Sequence, residues 1–137
     1  MLPRLAATEF KGWACLMNNN YDKAIKLFES LGHEMTHAIK PFVQLGYAYA
    51  LKGDISTAET YLQKLKDEAE TNPDKTYSLD FATLYTGLNR PDEAFQYLEE
   101  CMKLKLGPMT FLNISPVWKP LKSDPRLTQA LINIGLH

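Results

Sequence analysis

The chain has 137 residues, with 15 Lys plus Arg against 16 Asp plus Glu and a formal charge of −1. It is long enough for one domain with a real core, and it lacks the basic stripe whose counterion release drives nucleic-acid binding. Hydrophobic residues make up 45% and charged residues 23%, a globular balance, and with charges in every apolar stretch and no signal-like run in MLPRLAATEFKG we expect a cytoplasmic chain without a membrane span.

In chain order, apolar residues at helical spacing predict helices at about 5–18, 21–31, 40–52, 55–70, 75–88 and 91–105, and no segment has a strand pattern. Asn18 to Asn20, Gly53 and Asn89-Arg90-Pro91 supply tight turns, using residues that tolerate left-handed backbone or preset the first helical φ. Asn72-Pro73-Asp74 ends the long fourth helix. After 108 the periodicity changes. Pro116-Val117-Trp118-Lys119-Pro120-Leu121 and Asp124-Pro125-Arg126-Leu127 read as a proline-punctuated turn and a short helix, with Asp124 as N-cap and Pro125 at the first helical position.

These helices repeat in pairs. Ala24, Ala58 and Ala94 are spaced by 34 and 36 residues, and twelve residues before each stands another small residue: Gly12, Gly46 and Ala82. Two helices cross closely only where both carry little side chain, so matched small residues are what a tight antiparallel pair requires. Cys15, Tyr49 and Tyr85 follow the first small residue by three, and Leu31, Leu65 and Cys101 follow the alanine by seven, spacings that predict core positions. The two cysteines therefore read as buried thiols; a disulfide between them would need adjacency that their helix phases do not suggest.

Phe42, Leu45, Gly46, Tyr49, Ala58, Leu62 and Leu65 carry a resemblance to the tetratricopeptide repeat family. The resemblance implies an all-α superhelix, a solenoid of three helix pairs and a C-terminal capping helix in one domain over 1–137. Its repeats would lie at about 5–38, 39–74 and 75–108, with the cap at 109–137. Thr8, Lys11 and Ser78 depart from the family pattern, standing where large apolar residues are usual. The first helix is therefore expected either to have a wetter face as an end repeat or to meet a preceding repeat. The ending P-x-W-x-x-L-x-x-D-P-R, with I-G-L after it, is similar to the ends of bacterial multidomain regulators that carry these repeats, which implies a sensory or scaffolding role.

His33-Glu34-Met35-Thr36-His37 matches H-E-x-x-H, in which two histidines one turn apart hold zinc and the glutamate activates water. A small zinc peptidase is thus the alternative function. Against it, the repeat phase sets these residues across the turn between the first two pairs, with Gly32 as the expected helix terminator. Pro41 would also clash with the carbonyl of His37 in a continuous helix. No other motif points to catalysis, a metal or a cofactor.

The preferred expectation is a non-enzymatic scaffold that binds a protein or peptide. The family resemblance implies a groove lined by the first helix of each pair, which carries over to Glu9, Trp13, Lys40, Val43, Gln44, Tyr47, Leu79 and Thr83. Trp13 and Tyr47 are the expected anchors, and the same two residues also suit packing under neighbouring segments. The family's clamp for chaperone C-termini has Lys and Asn where this chain has Glu9 and Trp13, so that ligand is not expected.

Overall fold

A computed structural model describes residues 2–34, 41–74, 76–104, 116–121 and 123–133. Its helices are α1 (Leu2–Met17), α2 (Tyr21–Glu34), α3 (Phe42–Lys52), α4 (Ile55–Thr71), α5 (Ser78–Gly87) and α6 (Pro91–Leu104), then a 3-10 helix (Pro116–Leu121) and α7 (Pro125–Asn133). Among the described residues there is no strand. The fold is all-α and built of tetratricopeptide-like helix pairs. Its contacts cluster into two units, residues 1–67 and 68–137, divided within α4.

In the first unit, α1 packs on α2 and α2 on α3. Gly12 is buried, and a Cβ there would lie 2.7 Å from Phe28 Cζ, so α1 approaches α2 as closely as it does only because residue 12 has no side chain. Leu16, Ala24, Ile25, Phe28 and Leu31 form the core beside this crossing. Ala58, Leu62 and Leu65 are the buried residues of α4. Across the second pair, Tyr49 stacks on Tyr61 with centroids 5.9 Å apart and planes 14° apart. Lys64 covers Tyr61 at 5.1 Å.

In the second unit, Ala82 and Ala94 are both fully buried where α5 packs on α6. Tyr85 and Tyr97 repeat the tyrosine stack of the second pair, with centroids 5.9 Å apart and planes 10° apart. The 3-10 helix lies against α5 and α7 against α6. Trp118, Leu121 and Leu127 are buried. Asp124 caps α7 by accepting the Arg126 N–H at 2.9 Å, as the Asp-Pro pair predicts. The Arg126 guanidinium then donates to Asp92 at 2.8 Å and lies 4.6 Å from the Phe95 ring, fastening α7 to α6.

The turns inside the three pairs close in one way. Asn20, Asp54 and Arg90 donate their N–H to the carbonyls of Cys15, Tyr49 and Tyr85, at 2.7, 2.9 and 2.9 Å. Asn19, Gly53 and Asn89 just before them have positive φ, 61°, 100° and 59°. This is the left-handed helix terminator, and it satisfies carbonyls that the helix end would otherwise leave open.

Two expectations are corrected. Gly32 does not end α2, which continues to Glu34; a glycine lowers helix propensity but breaks no hydrogen bond, so the helix continues through it. Cys15 is half-exposed rather than buried, whereas Cys101 is buried, and both thiols are free. The reason lies in the position that Cys15 shares with Tyr49. Tyr49, expected in the core by the same spacing, is half-buried as well, so in the first two pairs that position lies at the edge of the pair rather than in its core, whereas Tyr85 of the third pair is buried.

Candidate partner-binding face

The geometry centres on Glu9 and Trp13, one turn apart on α1 and both half-buried. Trp13 stands edge to face against Phe28 of α2, with centroids at 5.5 Å and planes at 65°. It meets Tyr47 of α3 in the same way, at 5.4 Å and 67°. The indole is therefore held by rings from two other helices, a preferred geometry for aromatic quadrupoles. Its Nε1 donates to Glu9 Oε1 at 3.4 Å. The same oxygen accepts from Gln44 Nε2 at 3.1 Å, which ties α1 to α3 across 35 residues of sequence.

Tyr47 is only 1% exposed, and burial pushes its phenol well above the ordinary tyrosine pKa. It is the floor on which Trp13 rests. Val43 and Gln44 are half-buried beside it on α3. Chemically, the first unit presents an indole edge, an amide and a carboxylate already oriented by two neutral donors. That combination suits hydrogen bonding and apolar contact rather than bond breaking.

In the second unit, Leu79 is 37% exposed. Thr83 is buried and spends its hydroxyl on the Leu79 carbonyl at 2.9 Å. Lys40 lies outside the described residues. The structure therefore brings Glu9, Trp13, Val43, Gln44 and Tyr47 together in one unit and sets Leu79 and Thr83 in the other.

Of the H-E-x-x-H quintet, His33 and Glu34 belong to the last turn of α2, and Met35, Thr36 and His37 lie outside the described residues. Phe28 is the residue whose part here was missed. Its helix phase marks it as core, and only the fold shows that it also supports Trp13.

Residues 42–70 and 78–107 each match a tetratricopeptide repeat model, and they contain most of the second and third helix pairs. No curated protein and no solved structure matches the chain significantly.

Proposed function

We propose that this chain is a protein-interaction module, without catalysis of its own, that holds a segment of a partner protein on the face formed by α1 and α3. The supporting observation is Trp13, half-exposed and seated on Phe28 and Tyr47. A rigid aromatic with its rotamer already restricted loses little entropy on binding and contributes a large contact area, as interface anchors do. Glu9 and Gln44 give that contact polar direction. Lys40, Val43, Leu79 and Thr83 belong to the same reading by their positions in the repeat, and Tyr47 acts in it from beneath.

The two tetratricopeptide repeat matches support a scaffold. The P-x-W-x-x-L-x-x-D-P-R ending further supports a place in a bacterial multidomain regulator in the cytoplasm. The test starts from a partner isolated by pull-down and measured by calorimetry. Trp13→Ala weakens binding by roughly thirtyfold, about 2 kcal/mol, while the melting temperature stays within a few degrees. Tyr47→Phe, which keeps the ring, leaves affinity nearly unchanged. Normal binding by a folded Trp13→Ala protein would place the binding surface elsewhere.

A further inference from the structure

Glu9 is half-buried, and its carboxylate is oriented by two donors, the Trp13 indole N–H at 3.4 Å and the Gln44 amide at 3.1 Å. Both donors are neutral and both reach Oε1, so neither balances the negative charge and Oε2 keeps its lone pairs. Among the described residues no ion pair involves Glu9. Lys11, two residues further along α1, is exposed and leaves the helix on a different side. The Gln44 amide, fixed by donating through Nε2, has its own oxygen left to accept. Next to these acceptors is the half-buried Trp13 ring, held from behind by Phe28 and Tyr47.

We propose that the partner segment seats an arginine here, its methylene stem along the Trp13 ring and its guanidinium bonded to Glu9. The proposal rests on the reading of the α1–α3 face as the binding face and names the chemistry that this face selects. A half-buried carboxylate loses hydration when a segment covers it. A partner cation offsets that cost, whereas a partner carboxylate adds like-charge repulsion. Arginine fits better than lysine for two reasons. Its planar fork can serve both the Glu9 carboxylate and the Gln44 amide oxygen beside it, whereas lysine brings a point charge. The guanidinium is also the more weakly hydrated cation, so placing it against an indole costs less. The arginine stem packs on apolar surface while its head reaches the carboxylate.

The probe is a phage-displayed library of random short peptides panned against the full chain, with the enriched sequences synthesised and titrated by fluorescence anisotropy. The expected binders lose affinity on Trp13→Ala and share an arginine. Replacing that arginine by citrulline, which keeps its shape but not its charge, weakens binding to the parent by about tenfold or more. On Glu9→Gln the same replacement costs less than about twofold, because the charge that selected arginine is gone. Glu9→Gln keeps an oxygen that accepts from Trp13 and Gln44, so its melting temperature should match the parent's. The citrulline comparison on the parent keeps the question decidable even where that variant fails to fold. Trp13-dependent binders without an arginine, or an arginine that citrulline replaces without loss, overturn the proposal and leave the binding face standing. A citrulline cost undiminished on Glu9→Gln overturns it too, by placing the arginine against another group. Binders all indifferent to Trp13→Ala, or no binders, remove the face itself and the arginine with it.

Discussion

Gly12 and Ala58 show how much a single missing side chain decides. Gly12 faces the ring of Phe28, which is 0% exposed, and Ala58 is likewise 0% exposed. Ala58→Leu is expected to cost on the order of 1–3 kcal/mol, and Gly12→Ala to destabilise in the same sense, because overpacking forces helices apart. Urea midpoints measure both, and an unchanged midpoint for Ala58→Leu would remove the close crossing from the account of the second pair. Cys101 belongs to the same scale. Burial pushes its thiol from an ordinary 9.0 up to about 11. Between those values the unfolded chain releases the proton while the folded chain keeps it, so the contribution is complete below pH 9 and is lost as pH rises toward 11. The urea midpoint should therefore fall over that window. Alkylation of the Cys15→Ser variant should stay slow until the upper end of it.

At the scale of elements, the pair is defined by its turn. Asn19, Gly53 and Asn89 each stand five residues before Ala24, Ala58 and Ala94, so the left-handed residue and the helix crossing recur in one register. Gly53 is open to solvent, with nothing within 4 Å of where a Cβ would be, so any cost of a side chain there is conformational. Gly53→Ala should cost about 1 kcal/mol, since an L residue with a Cβ resists the left-handed region. Asn89→Gly should be neutral or slightly stabilising in the same turn. Thermal melts compare the two directly, and equal losses in both variants would rule out φ as the controlling variable. Asp54 strengthens the second turn by accepting from the Thr57 N–H at 3.2 Å and the Thr57 hydroxyl at 2.8 Å, hydrogen bonds that hold its carboxyl below the usual aspartate range.

For the whole molecule, the division at residue 67 matters because each unit contains one of the two tryptophans, Trp13 in the first and Trp118 in the second. Trp118 is 2% exposed in the 3-10 helix that lies against α5, and residues 81–88 of that region are buried without interruption. A helix so enclosed depends on each of its covers. Trp118→Ala should cost about 3–5 kcal/mol by opening a cavity beside α5. The remaining Trp13 then reports the first unit alone, and its fluorescence transition should come at higher urea than the first loss of helical circular dichroism. Coincident transitions at the parent midpoint would show that the C-terminal segment contributes nothing to the second unit.

The paired helices, the small residues at their crossings and the left-handed turns were legible in the sequence because each is a local or periodic property. Gly12 with Ala24, Asn19 before Tyr21 and Asp124 before Pro125 carry their meaning within a few turns of chain. Residues of the candidate face were legible only as positions. That Tyr47 lies beneath Trp13, that Phe28 supports the same indole from α2, and that Gln44 reaches Glu9 across 35 residues depend on distances between helices that no spacing encodes. Exposure was equally out of reach. Cys15, Tyr49 and Tyr85 share a phase, and Phe10 precedes Gln44 by one repeat, but coverage depends on what packs alongside, so tertiary structure alone left Cys15 and Tyr49 half-exposed, Tyr85 buried and Phe10 open to solvent. Periodicity specifies which face a residue belongs to, whereas its burial is decided by the neighbour that meets that face.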